Sequence, residues 1–347
     1  MVDHRHFDIA IVGQGIAGTL MAHFLESYGK RVLVIDNGFQ GSSSMVAAGI
    51  VNPVTGRNFV RSWRIHEFLP FAKDVYDTIN AKLNIDCYTI ANIIRALDTI
   101  EDENNWLART QDDLVGQFMC TQADISEFEG KINKPLALGE LHQTFRVHFA
   151  EILKAYKQYL QNKSSYLEDR FDYSKLVILD QGFTYEDYTF TELVFCEGYQ
   201  TIHNPFFPKI GMAPSKGEVL IVKIPNANFR KMYKDKVFFV HQYDDIYWVG
   251  SGYDWDISSE APTEKAFKTL SDEVARVLKV PYEIMEHKAA IRPTMHGRRP
   301  VFKVHQEISN MYLFNGLGTK GGSIGPFAAA QFARYIVHKD LQDLVLS

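Results

Sequence analysis

The sequence predicts an α/β fold in which a parallel-sheet domain is interleaved with an α+β domain built on an antiparallel sheet. Three observations carry this. A strand, a glycine turn, a helix and a second strand open the chain; a strand, a glycine loop and a helix close it; a block of alternating strands lies between. An α/β signal at both ends with an antiparallel block inside points to discontinuous domains. Residues 1–70, 140–215 and 290–347 are assigned to one, and residues 71–139 and 216–289 to the other. The 347 residues suit two domains at roughly 100–200 residues each.

The elements follow in order. Phe7 to Val12 is a short apolar run rich in β-branched residues, suited to a buried parallel strand. Ile16 to Tyr28 is helix-forming up to Gly29, a C-terminal cap, and Arg31 to Asp36 is the second strand. A small-residue loop runs from Gly41 to Gly49, and residues 66–83 and 101–118 are predicted helical. Arg146 to Leu160 carries apolar residues at helical spacing. Leu176 to Leu179 and Thr191 to Phe195 are strands, and Gly217–Val222, Val237–Val240 and Ile246–Val249 form the antiparallel block, with a turn at Asp244 and Asp245. Thr263 to Leu278 is an amphipathic helix. Met311–Phe314, the glycine loop 316–322 and a helix from Pro326 to Val337 complete the chain.

Composition narrows the function. A hydrophobic fraction of 46% supports a full core, which excludes disorder and disulfide-stapled miniature folds. A net charge of −5 argues against nucleic acid as a partner of the whole surface. Cys87, Cys120 and Cys196 lie far apart with no metal-ligand spacing, so no metal is expected and the thiols are read as reduced, in a cytoplasmic protein. The basic start at His4, Arg5 and His6 before an apolar stretch imitates a targeting segment. Asp8, Gln14, His23 and three glycines interrupt it, so no membrane span is expected.

The turn Gly13-Gln-Gly15-Ile-Ala-Gly18 has a physical purpose at each glycine. Gly13 allows the bend, Gly15 lets the backbone approach a pyrophosphate, and Gly18 lets helix and strand pack closely, while the helix start offers amide donors. Asp36 ends the second strand 18 residues after Gly18, where a carboxylate can accept ribose hydroxyls. The turn alone does not separate FAD from NAD. Ser42 to Ile50 offers hydroxyls and bare backbone to a long cofactor.

Four ordered blocks, GQGIAG (13–18), SSSMVAAGIVNP (42–53), LVFCEGYQT (193–201) and IRPTMHGRRP (291–300) followed by LFNGLGTKGGSIGP (313–326), resemble the D-amino-acid oxidase family of flavoproteins, which includes glycine and sarcosine oxidases. The resemblance implies a Rossmann-like FAD-binding domain of the GR2 type. It implies non-covalent FAD, held by Gly13, Gly15, Ile16, Ala17, Gly18, Asp36, Asn37, Ser43, Ser44, Ala48, Gly49, Ile50, Cys196, Gly198, Gly316, Gly318, Thr319, Lys320, Gly321 and Gly322. It also implies oxidation of the C–N bond of an amino acid or secondary amine by hydride transfer to flavin, with oxygen or a quinone as electron acceptor. The cofactor carries the hard step, so the protein mainly positions substrate and tunes the ring.

Positioning a carboxylate suits a guanidinium fork. Arg292 matches the family arginine that binds it, and Lys320 matches a lysine at the substrate or at the flavin edge; these two are the catalytic candidates. Arg57, Arg61 and Arg64 would share one face if helical, either substrate-facing or solvated. His296 stands where the family often has aspartate and is read as a turn histidine. The family's substrate tyrosine has no clear counterpart: residues 237–241 read VFFVH, ending at His241, and neither Tyr243 nor Tyr247 aligns. Two alternatives stay open. The loop Gly316–Gly321 is also similar to the oxidase module of the bifunctional enzyme that modifies wobble uridine in tRNA, and the fold can persist as a flavin-binding module without catalysis.

Overall fold

The computed structural model describes residues 5–340, so His4 and the outer ends of the expected terminal segments lie outside the described residues. Two eight-stranded sheets organise it. The first is centred on His6–Val12, paired in parallel with Val32–Asp36 on one side and Tyr188–Phe195 on the other. Tyr166–Glu168 extends the Val32–Asp36 edge in parallel. The last three residues of Tyr188–Phe195 pair in parallel with Met311–Asn315, which carries antiparallel Val301–Val304 outside it. Its first three pair instead with the hairpin Val177–Leu179/Gly182–Tyr185.

The central strands are apolar on both faces, as a covered parallel sheet requires. Ile9, Ile11, Val34 and Val194 face helices; Phe7, Ala10, Leu33 and Phe195 face an aromatic layer that includes Phe183, Phe190 and Phe207. Helix α1, Ile16–Ser27, ends in a Schellman motif at Gly29, whose amide donates to Glu26 O while that of Lys30 donates to Leu25 O.

The second sheet runs in the order Glu283–Arg292, Ser215–Lys223, Ile246–Gly250, Phe238–Tyr243, Met232–Lys234, Ile93–Leu97, Ala137–Leu141, Met119–Cys120. All neighbours are antiparallel except Met232–Lys234 beside Ile93–Leu97. Five helices of eight residues or more follow α1 in chain order, with a single helical turn, α2 (Ser43–Val46), before them. They are α3 (Ile65–Leu83), α4 (Ile100–Thr110), α5 (Phe149–Asn162), α6 (Glu264–Val277) and α7 (Gly321–His338).

Several expectations are corrected. The loop 41–49 contains the α2 turn. The helix expected over 101–118 stops at Thr110, where Asp112 gathers the amides of Leu114 and Val115 and turns the chain into a short 3₁₀ segment at Gly116–Phe118. Arg146 and Val147 belong to strand Phe145–Val147, so α5 starts later than its apolar spacing suggests. The final helix starts at Gly321, five residues before Pro326. Proline removes one amide, and the carbonyl this orphans, Gly322 O, accepts from Tyr76 Oη at 3.1 Å. Arg57, Arg61 and Arg64 are not helical: Val54–Thr55 and Val60–Arg61 form a small hairpin, and Arg64 stands outside α3 in a left-handed conformation.

Candidate active site

A cavity of about 1750 Å³ opens between the two sheets, at the carboxyl ends of the parallel strands. Val12, Asp36, Cys196 and Asn315 each end or closely follow one of those strands and line it. That is where open α/β sheets bind ligands, because loops diverge there and leave a crevice. The volume exceeds the roughly 300–1,000 Å³ usual for a drug-sized ligand. Of the residues assigned to cofactor or substrate from the sequence, all line this cavity except Gly18. A Cβ at Gly18 would lie 1.9 Å from Gly13 O, so its place is the helix–strand contact.

At the parallel-sheet end, α1 starts at Gly15 with no side-chain cap. Ser44 Oγ accepts from Ile16 N at 3.1 Å, which brings the serine loop against the helix start. Gly15 has φ −69°, and a Cβ there would meet only the Ser44 and Ser42 hydroxyls, at 3.5 and 3.9 Å. Neither backbone nor packing demands glycine at that position, so the open space serves close approach from the cavity. Asp36 is already engaged: its carboxylate accepts from Gln14 N at 2.7 Å and Phe39 N at 2.8 Å, which fixes the glycine turn and leaves only its remaining lone pairs for a ribose. Glu197 lines the same end, holding Tyr173 Oη at 2.5 Å and Asn204 Nδ2 at 2.7 Å; burial pushes its carboxyl up to about 7. Buried Asn315 donates to Gly198 O and Thr201 Oγ1 while its Oδ1 accepts from Gly316 N, tying the two glycine turns together. Helix α7 likewise starts at the cavity without a side-chain cap, at Lys320. Two helix starts whose N-cap residues supply no side-chain cap, with only the Ile16 amide of α1 already held by Ser44, and an open Gly15 fit a dinucleotide with an anionic centre.

At the antiparallel-sheet end, Arg292 closes strand Glu283–Arg292 opposite Ser215. Its guanidinium donates to Ser251 Oγ at 2.6 Å, Gly252 O at 3.0 Å and Lys216 O at 3.4 Å, and stacks 4.4 Å from the Tyr253 ring. Every partner is neutral, and burial lowers its pKa. The guanidinium occupies the space a side chain at Gly217 would need: a Cβ there would sit 2.0 Å from Nη2. Lys320 Nζ donates to Ser62 Oγ at 3.2 Å, and burial with the nearby Arg299 and Arg298 lowers its pKa. Neither Arg292 nor Lys320 has a carboxylate partner among the described residues.

Other candidates lie elsewhere. Arg57, Arg61 and Arg64 do not line the cavity. Arg64 is spent on Glu67, at 2.8 and 2.5 Å, and on the Phe68 and Phe327 rings. His296 is exposed and its amide donates to Gly211 O; His241 Nε2 lies 2.8 Å from Asp244 O. Tyr247 is buried, its hydroxyl accepting from Phe229 N, and Tyr243 is exposed. The aromatic ring beside Arg292 is that of Tyr253, in a loop with no sequence pattern to mark it. Arg95, Lys234 and Trp63 also line the cavity unforeseen; strand order brings the first two there, and Trp63 lies in the turn before α3.

The profile of the family described as "DAO: FAD dependent oxidoreductase" matches residues 8–335. Among solved structures, glycine oxidase from Geobacillus kaustophilus superposes with a TM-score of 0.80 at 18% identity over 99% of both chains. Glycine oxidase from Bacillus cereus ATCC 14579 gives 0.77 at 18% identity over 98% of both. Iminodiacetate oxidase from Chelativorans sp. BNC1 gives 0.76 at 16%, covering 96% of this chain and 95% of that one. At such identities the likeness is one of fold.

Proposed function

The chain belongs to the DAO family of FAD-dependent oxidoreductases, and from that premise we propose that it oxidises the C–N bond of a small amine bearing a carboxylate, which Arg292 anchors. The observation that supports this most is the Arg292 guanidinium, drawn into the cavity wall with only neutral oxygens and an aromatic ring around it. A buried fork without an anion is a receptor for one. The glycine and iminodiacetate oxidases that share the fold are named for substrates of this class.

In this reading residues 1–70, 140–215 and 290–347 hold the cofactor, with Gly15, Ser44 and the start of α1 at its pyrophosphate and Lys320 with the start of α7 near its ring. FAD supplies the hydride acceptor when bound. Arg292 orients the substrate carboxylate, and Ser251 and Gly252 hold the guanidinium in place. The cations Arg292, Lys320, Arg298 and Arg299 that line the cavity disfavour a protonated amine, so the amine enters neutral and no general base is required. Oxygen or a quinone takes the electrons in turnover.

The test is Arg292→Met in the flavin-loaded enzyme, with flavin bleaching followed anaerobically across amino acids and N-alkyl amino acids. Losing one charge-assisted anchor raises the half-saturating substrate concentration roughly tenfold to a hundredfold. Equal half-saturation in the two proteins rejects the assignment.

A further inference from the structure

The antiparallel-sheet side of the cavity carries more positive charge than one carboxylate needs. Arg95, Lys234 and Arg292 line it from that sheet, and Arg298, Arg299 and Lys320 line the cavity from the segments flanking Val301–Val304 and Met311–Asn315. The acids that line the cavity sit elsewhere: Asp36, Asp169, Asp172 and Glu197 follow the parallel strands, and Glu260 lies against Gly41 and Gln200. Arg298 and Arg299 stand near Lys320; Arg95 and Lys234 form a separate pair.

Lys234 and Arg95 are register partners on adjacent strands. Lys234 is also in register with Phe238, Phe238 with Gly250, and Gly250 with Val219. Register partners project to one face, and all five residues line the cavity. Two cations therefore stand side by side at one end of a row that crosses the wall, and neither is neutralised. Arg95 Nη1 donates to Asp235 O at 3.3 Å, and its Nε is buried with no hydrogen-bond partner. Lys234 Nζ donates to Lys236 O at 2.7 Å and lies 4.8 Å from the Phe238 ring. The nearest acid, Asp235, is committed through its carboxylate to Arg276 at 2.7 Å and to Lys236 N; Asp98 and Asp102 act on Arg95 only at a distance. Burial and the adjacent guanidinium lower the Lys234 ammonium to about 8. Two like charges side by side on the cavity wall, one with a buried donor that has no partner, are an anion site.

We propose that Arg95 and Lys234 bind a second anionic group of the substrate, remote from the carboxylate on Arg292, so that the substrate is an elongated amine with an acidic group at each end. Four strand steps and four residues separate Lys234 from Arg292 on the sheet. The Arg292 head reaches back to Gly217 and the Lys234 ammonium forward to the Phe238 ring, two strand steps and two residues apart, so the two anions lie on the order of 10 Å apart. This rests on the Arg292 reading above and extends it.

The experiment uses the flavin-loaded enzyme and thioether analogues that lack an oxidisable amine: S-carboxymethyl alkyl thioethers of increasing length ending in methyl, carboxylate or phosphonate. Binding is read from the flavin absorbance change and by calorimetry. A terminal acid at the right length tightens binding roughly tenfold to a hundredfold over the methyl-ended chain, and the better of carboxylate and phosphonate identifies the acid. Arg95→Met and, separately, Lys234→Met remove that gain and leave the methyl-ended series unchanged. Methyl-ended chains that bind through Arg292 but gain nothing from a terminal acid at any length overturn this inference alone. So does a loss in either variant that is equal for both series. Failure of every chain to bind, with Arg292→Met also silent, removes the Arg292 reading and this one with it.

Discussion

Glu197 shows how a single residue carries the site's burden into stability. Its carboxyl is pushed up to about 7 from an ordinary 4.5 by burial, while Tyr173 and Asn204 pull the other way. A folded-state pKa above the unfolded one means the folded chain binds more protons between roughly pH 4.5 and 7. The contribution is thus complete below about pH 4.5 and lost as pH rises through 7. Relative to Glu197→Gln, the wild-type holoprotein should lose about 1–3 kcal/mol from pH 5 to 8.5, less than the full shift because the group borders the cavity. Urea unfolding of both proteins at several pH values checks this, and parallel profiles refute it. Sequence pattern reached Glu197 only as part of CEGYQT. Arg292 and Lys320 were legible because motifs flank them. Arg95, Lys234 and Tyr253 were not, since their meaning lies in register and in a loop.

Elements show the same division. The opening unit was readable almost residue by residue, because strand, glycine turn, helix and Schellman cap are all local chemistry. Helix α7 was not: Pro326 looked like a start, and only the fold reveals Tyr76 Oη replacing the lost donor at Gly322 O. Tyr76→Phe, which removes that hydroxyl from a fully buried ring, should cost about 1–2 kcal/mol of unfolding free energy. Chemical denaturation measures it, and an unchanged midpoint would show that Gly322 O has another partner. The arginine series 57–64 failed for a related reason. Spacing that permits a helix does not exclude a hairpin, and the turn at Gly56 decides for the hairpin.

At the scale of the molecule, both sheets and the starts of α1 and α7 converge on one crevice, so a cofactor held there as proposed would also brace them. A ligand that binds only the folded state stabilises it by mass action, about 2.7 kcal/mol at a hundredfold excess over Kd. Stripping FAD should therefore lower the melting temperature and restoring it should return the loss. Denatured holoprotein should release its flavin to the supernatant, as a non-covalent cofactor must. Flavin retained in the precipitate would reveal a covalent bond. Of the sheet that builds the other wall only the hairpin turning at Asp244 and Asp245 was open to sequence reading, because pairings such as Ile93–Leu97 with Met232–Lys234 join distant segments and are set by packing rather than by neighbours.

The space above Gly217 has a historical consequence. Because the Arg292 head fills the volume where a Cβ would project, the two positions are sterically coupled although 75 residues separate them, and under the proposed role of Arg292 this coupling orders any change of specificity. A lineage abandoning acidic substrates is free to lose the arginine first and only afterwards acquire a side chain at 217. The reverse order passes through a protein whose anchor is displaced before anything replaces it. Once the gap is filled, restoring arginine alone no longer restores the receptor, so loss of this specificity runs easily in one direction and poorly in the other.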